Sequence, residues 1–326
     1  MKQVEPVPNP RLGPGPIPAS AVRQLELASA RRVRDLWPGD RASAQVGAGT
    51  ELARIRPYQP GDDVRHLDAA ASARTGEPQV RVHVAERSLT TWLLLDRSTS
   101  MGFGTADRVK ADVAEGVAGV MATLATRRGN QLGVITFGES GAPKAFRPHS
   151  GRAGTLQALT QARADVAPER TPNPSTLTDA LVRLEKMARG AALVIIVSDF
   201  RGDDGDTWTP ELRRVLHRHT GLAVEIRDPR EMALPDVGAD LALVDPETGR
   251  HVRVDTSSNR LRRRFAEVSA AEREQLRVTL RGTGAEHAVL STEGDWLGPL
   301  AAALRGARHR AGWRPARNLT PGGAAV

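Results

Sequence analysis

An α/β fold built on a doubly wound, mostly parallel sheet is expected for this chain of 326 residues. Three features predict it. From residue 90 onward, apolar runs of strand length alternate with longer helical patterns, the order that a parallel sheet with crossover helices requires. The two most apolar runs, Thr90–Asp96 and Ala191–Val197, are hydrophobic without alternation, as in strands buried on both faces. Both run into an aspartate, Asp96 and Asp199, and ligands of open α/β sheets collect at the carboxyl ends of the strands.

The elements follow in order. The opening stretch, "MKQVEPVPNPRLGPGPIPAS", is dense in proline and has no apolar signal core, so residues 1–20 read as a disordered leader. A helical pattern covers 21–36 and ends at "WPGD". Residues 40–88 are polar and glycine-dotted, with turns at Pro60-Gly61 and Thr75-Gly76 and a strand-like alternation at Arg81–Val84. After the strand at Thr90–Asp96, residues 107–128 place Val109, Val113, Val117, Val120, Met121 and Leu124 on one helical face. Asn130–Phe137 is the next strand, Lys144–Arg147 a short edge strand and Ala153–Ala164 a helix. Ser175 is an acceptable N-cap for a helix through Ala188. The strand at Ala191–Val197 is followed by a helix at Glu211–His219 and a strand at Leu222–Ile226. Beyond Pro229, "LALVDPETGRHVRVD" predicts a hairpin, Arg260–Arg281 a long charged helix, "HAVLST" a strand and "WLGPLAAALRG" a closing helix. The expected division is therefore 1–20 leader, 21–88 N-terminal helix and irregular/β segment, 89–228 core, 229–305 hairpin-helix extension of the same domain, and 306–326 flexible basic tail.

Composition narrows the function. There is no cysteine, which excludes disulfides, thiolate metal sites and cysteine nucleophiles. No apolar stretch reaches the roughly 20 residues that cross a bilayer, so a cytoplasmic protein is expected. The net charge of +8 invites a nucleic-acid reading, but the arginines are interleaved with acids and aromatics make up only 3%, too few for stacking. The histidines lack the spacing of a zinc site.

"LLLDRSTSMG", residues 93–102, admits three readings: a nucleophile, a helix cap or a metal site. A phosphotransferase of the haloacid-dehalogenase type needs a second carboxylate two residues after Asp96, where Ser98 stands. No Walker loop is present, and neither Ser98 nor Ser100 lies in a G-x-S-x-G elbow. As caps, Ser98 and Ser100 would start the next helix and Asp199 would make a turn. As a metal site, neutral hydroxyls with two carboxylates are hard-oxygen donors suited to Mg²⁺ or Mn²⁺. A third loop, 173–178, adds Ser175, Thr176 and Thr178.

This stretch resembles the Asp-x-Ser-x-Ser motif of von Willebrand factor A domains, the metal-ion-dependent adhesion site. The resemblance places the next hydroxyl ligand five residues before the Ala of an Ala-Leu pair, here Ala180-Leu181, which selects Ser175. The family usually has Thr there, and adjacent Thr176 is the substitute. The last aspartate of the family ends a buried strand, as Asp199 does in "LVIIVSDF". What the resemblance implies is a metal site of Asp96, Ser98, Ser100, Ser175 and Asp199, with the serines on the ion, the aspartates acting mostly through water, and a partner carboxylate completing the shell.

A second stretch, "YQPGDDVRHLDAAASARTGEPQVRVHVAERSLTTWLLLD", is similar to the hallmark of a bacterial family of unknown function, number fifty-eight, whose members are typically encoded beside MoxR-type AAA+ ATPases. Tyr58, Pro60, Gly61, Asp62, Asp63, Arg65 and Asp68 match it, while Ala69 stands where Trp is usual. The likeness extends to "DPREMALPDVG" and "LSTEGDWLGPL". It implies a non-enzymatic, metal-dependent interaction module that partners a MoxR-type ATPase or its client. The alternatives from other classes are a Mg²⁺-dependent hydrolase or phosphatase using Asp96 and a basic nucleic-acid-binding protein. For "QPGDD" itself two readings stand: a docking surface or brace beside the metal site, and a Pro-Gly turn whose aspartates bond the local backbone.

Overall fold

The computed structural model describes residues 12–18, 20–21, 23, 46–60, 62–84, 90–125, 130–163, 172–202, 205–237, 240–244 and 251–306. Most of the helix expected over 21–36, the turn of the C-terminal hairpin and the basic tail beyond 306 lie outside these residues.

Six strands form the central sheet: β3 (Thr90–Asp96), β4 (Gln131–Phe137), β5 (Lys144–Ser150), β6 (Ala192–Ser198), β7 (Thr220–Arg227) and β10 (Glu286–Ser291). Their order is β10-β7-β6-β3-β4-β5. Every pair is parallel except β4 with β5, which is antiparallel and makes β5 an edge. The chain starts in the middle at β3, steps outward to β4 and β5, then returns to the other side at β6, so the order reverses beside β3. That reversal opens the crevice in which doubly wound sheets bind ligands. The central strands β3, β4 and β6 are buried almost throughout, as their unbroken apolar runs require.

Helices cover both faces. α2 (Lys110–Ala125), α3 (Gly151–Arg163) and α7 (Leu297–Gly306) close one side over Leu93, Leu95, Val134, Ile195 and Val224. α4 (Leu177–Met187) and α5 (Thr209–Arg218), with Leu280 of α6 (Asn259–Thr283), close the other over Trp92, Leu94, Ile135, Val194 and Ile196. Period-2 alternation of β3 side chains sends Leu93 and Leu95 one way and Trp92 and Leu94 the other, and both halves are buried. Two small antiparallel sheets stand beside this core: β8 (Asp240–Val244) with β9 (His251–Asp255), and β1 (Val46–Pro57) with β2 (Gln79–Val84). The C-terminal extension thus contributes a hairpin and also, through β10, an edge strand of the main sheet. β10 is tied to β7 by Glu225, a buried carboxylate held by Arg227 and by His287 Nε2 at 2.8 Å.

Three expectations are corrected. The segment 40–88 is more regular than its composition suggests, because Val46–Pro57 is a long strand whose partner β2 lies more than twenty residues downstream, beyond any local signal. Its aspartates bond locally: Asp62 takes Arg56 in a two-pronged ion pair (2.7 Å and 2.7 Å) and the Gln59 amide, Asp63 caps the 3-10 turn Val64–His66, and Asp68 caps α1 (Ala69–Thr75) while pairing Arg81. The helix after Ser175 is capped by Thr176, whose hydroxyl and amide exchange bonds with Asp179 in a capping box. Finally, residues 12–18 of the expected disordered leader lie on the core. The Trp296 indole donates to the Pro14 carbonyl at 2.9 Å, and Ile17 packs against the cluster under α2.

Gly116 of α2 is what admits this contact. A β-carbon there would lie 2.4 Å from the Trp296 ring and 2.8 Å from Pro14. Gly116→Val is therefore expected to cost about 2 to 3 kcal/mol by overpacking and to free residues 12–18 for proteolysis. Urea denaturation and limited trypsinolysis at Arg23 would measure both, and unchanged values would mean that the segment does not rest on α2.

Candidate metal centre

β3 and β6 are parallel neighbours in register, Leu95 opposite Val197, so the loops carrying Asp96 and Ser198-Asp199 emerge side by side. The loop after β4 closes over them. Gly138 sits at φ +89°, and a β-carbon on it would lie 2.3 Å from the Ser98 nitrogen, so only glycine permits this approach. The same loop grips the third one: Gly138 N donates to Ser175 O at 2.8 Å, and Ser175 N donates to Glu139 O at 2.8 Å. Glu139 is held by Arg97, buried beneath it, and by Lys144. Three loops are thereby stapled at one end of the sheet.

Asp96 is buried. Its Oδ1 accepts from the Ser98 amide at 2.8 Å and its Oδ2 from the Ser198 hydroxyl at 2.5 Å, while Ser198 Oγ accepts from Phe200 N at 2.9 Å. The Ser98 and Ser100 hydroxyls are 3.0 Å apart, and Ser100 bonds onward to Asp199. Asp199 lies against the Nζ of Lys110 at 2.5 Å. Asp96, Ser98, Ser175, Thr176 and Ser198 line one cavity of about 330 Å³, whose other wall is Phe137, Leu177, Phe200 and Trp208. Phe200 holds a left-handed backbone (φ 55°), with its ring 5.8 Å from that of Trp208. Ser100 and Asp199 do not line that cavity. They sit behind it, so Asp96, Ser98, Ser100 and Asp199 form one bonded cluster with two depths, and Ser175 faces it across the cavity, held by Gly138 and Glu139.

The electrostatics distinguish the two aspartates. Burial, and then the charge of Asp199, push Asp96 up to about 6. Burial pushes Asp199 the same way, but the Lys110 ammonium outweighs it and holds the carboxyl below its usual range. Among the described residues no ion pair involves Asp96. An uncompensated buried carboxylate beside neutral hydroxyls fits a hard divalent cation such as Mg²⁺ or Mn²⁺. No three or more His, Cys, Asp and Glu side chains among the described residues are placed to hold a metal ion together, so hydroxyls and water would make up most of the shell. Ser175 donates to Glu139 O at 3.1 Å, whereas the Thr176 hydroxyl is committed to its capping box.

Lys110, Ser198, Glu139 and Glu231 belong to this cluster and were missed by motif reasoning. Lys110 had a readable signal: it lies at i−3 and i−7 from Val113 and Val117, a charge at the head of an apolar stripe.

Residues 54–275 match the family described as "Protein of unknown function DUF58". The chain belongs to that family. The uncharacterized proteins Rv1480 of Mycobacterium tuberculosis and Mb1516 of Mycobacterium bovis are each 38% identical over 283 residues, 86% of this chain and 86% of theirs. Similar solved structures include BatB from Bacteroides thetaiotaomicron (TM-score 0.42, 11% identity, 68% of this chain and 98% of that one) and the SpRpn10 VWA domain (TM-score 0.34, 12% identity, 66% and 94%). The fold of this DUF58 protein is a doubly wound sheet whose strand order reverses beside the first strand of that sheet. No helix among the described residues is long and apolar enough to cross a membrane.

The raised Asp96 carboxyl gives a stability prediction. Between its usual value of 3.8 and about 6, the folded state holds a proton that the unfolded state has released. Stability is therefore fully present below pH 4 as far as this group is concerned, and is lost as pH rises through 6. Asp96→Asn keeps the shape and the acceptor for Ser98 N while removing the charge. In chelator-treated protein at pH 7.5 it is expected to stabilise by on the order of 2 kcal/mol and to flatten the pH dependence between 4 and 7. Thermal melts across pH would check this, and a destabilised Asp96→Asn at pH 7.5 would contradict it.

Proposed function

We propose that this DUF58 protein is a cytoplasmic, non-enzymatic interaction module that binds a carboxylate of a partner protein through Mg²⁺ or Mn²⁺. The observation that carries the reading is Asp96, buried with no counter-ion among the described residues at the edge of a hydroxyl-lined cavity. Asp96, Ser98 and Ser175 would hold the ion, with Ser100 and Asp199 behind them. When bound, the ion supplies positive charge and an exchangeable coordination position. The protein's own groups do the rest. Ser98 N and Ser198 Oγ fix both oxygens of Asp96, Gly138 and Glu139 fix Ser175, and the Phe200–Trp208 wall keeps bulk water from one side. The same two hydrogen bonds make Asp96 a poor nucleophile, which favours binding over phosphoryl or ester chemistry. The partner we propose is a MoxR-type AAA+ ATPase or its client. Its support is the family resemblance.

Two measurements test the reading. Calorimetry on chelator-treated protein should show one Mg²⁺ or Mn²⁺ bound, with at least about a tenfold loss in Ser98→Ala/Ser100→Ala. Pull-downs from the native host should recover the ATPase or its client with Mg²⁺ and lose it with EDTA. Equal metal binding by wild type and Asp96→Ala/Asp199→Ala would overturn the site, and recovery indifferent to EDTA would separate the metal from the partner. Phosphate or ester turnover that vanishes in Asp96→Asn would establish an enzyme instead.

A further inference from the structure

The motif "DPRE", which the proposed function leaves unused, delivers a second carboxylate to the back of the site. Lys110 at the head of α2 is fully buried, and its ammonium is shared between Asp199 Oδ2 (2.5 Å) and Glu231 Oε1 (2.7 Å), with the Phe103 ring 5.8 Å away. Both partners are themselves fixed. Glu231 Oε2 accepts from Asp228 N at 3.1 Å within the capping box of the turn Pro229–Glu231. Asp228 in turn accepts from Thr105 N, Thr105 Oγ1 and Thr292 Oγ1 at 2.6 to 2.7 Å. The other oxygen of Asp199 accepts from Arg201 N at 3.1 Å. Both oxygens of Asp96 and of Asp199 accept a hydrogen bond, and what separates the two is that Asp199 takes one of them from a charged ammonium. Asp96 has only neutral donors.

We propose that Lys110 is a positioning residue that reserves Asp199, holding its carboxylate off a divalent ion bound on Asp96, Ser98 and Ser175. The inference rests on the metal-dependent reading and adds to it the reason why such an ion would take a partner's carboxylate. One opposing carboxylate leaves the ion a net positive charge, whereas a second would cancel it and remove most of the attraction for a third. Lys110 thereby sets how strongly the site pulls on an acidic side chain of another protein.

The test is Mn²⁺ titration of the chelator-stripped full chain, followed by calorimetry and by the paramagnetic resonance of free Mn²⁺. The variants are Lys110→Met, Lys110→Arg and Lys110→Met/Glu231→Gln, the last keeping the local formal charge of wild type. The double variant is expected to bind Mn²⁺ at least about tenfold more tightly, because Asp199 becomes available, and adding Asp199→Asn should cancel that gain. Lys110→Arg, which keeps the cation, should stay within about threefold of wild type. In the wild-type background Asp96→Asn should abolish binding, while Asp199→Asn should weaken it by no more than about threefold. A folded double variant without tightening, or a loss of about tenfold or more in Asp199→Asn alone, would overturn the proposal. If the lysine variants do not fold, the Asp199→Asn arm decides. Mn²⁺ binding by the double variant but not by wild type would support the role of Lys110 and overturn the metal-dependent reading. Binding by neither would overturn both.

Discussion

The buried ammonium of Lys110 is the constraint on which the carboxyl end of this sheet depends. An isolated charge in such a place is intolerable, and two carboxylates at hydrogen-bonding distance make it tolerable. Those carboxylates come from the ends of different strands, Asp199 after β6 and Glu231 after β7, while the lysine begins the helix that follows β3. Asp228 extends the connection to Thr105 before α2 and to Thr292 after β10. One ammonium and one further carboxylate therefore fix the loops of four strands against each other. The geometry of the hydroxyl cluster in front is inherited from that arrangement, since Ser100 touches both the Ser98 hydroxyl and Asp199.

This division gives the site a front and a back. The back is ionic, saturated and sealed. The front is made of neutral hydroxyls around a single strained charge, and it faces a cavity with one aromatic wall. Both described residues that hold a left-handed backbone without being glycine, Asn173 and Phe200, flank this front. Such backbone costs of order 1 to 3 kcal/mol per residue and persists where the surroundings enforce it. Here Ser198 Oγ, bonded to Asp96, also takes the Phe200 amide, so the strained turn and the buried carboxylate are held by one hydroxyl.

Much of this was legible in the sequence, and the parts that were not share a cause. The unbroken apolar runs at Thr90–Asp96 and 191–197 announced buried parallel strands, and the aspartates that end them marked the functional edge, because both signals are local. The strand Val46–Pro57 was hidden because its stabilising partner, Gln79–Val84, is remote in sequence and its own residues are mixed in character. Thr176 displaced Ser175 as the helix cap because the capping box depends on Asp179 three residues ahead, a pairing that the five-residue count to Ala180 does not weigh. The docking of residues 12–18 turns on a glycine in α2 and a tryptophan almost three hundred residues from Pro14, which no local pattern relates. The place of Lys110 on the apolar stripe of α2 signals its burial, but its role was not legible because both partners, Asp199 and Glu231, are remote in sequence.

The antiparallel strand at the margin of the sheet has a consequence for crowding and self-association. An open sheet edge is a template that another chain can extend. β5 is a short strand carrying Lys144, Arg147 and Pro148, and its pairing with β4 slips between Leu132 and Val134. A proline without an amide hydrogen, two cations and an irregular ladder all discourage a seventh strand from adding there. Crowding of copies of the same chain is therefore disfavoured from extending the sheet across that border.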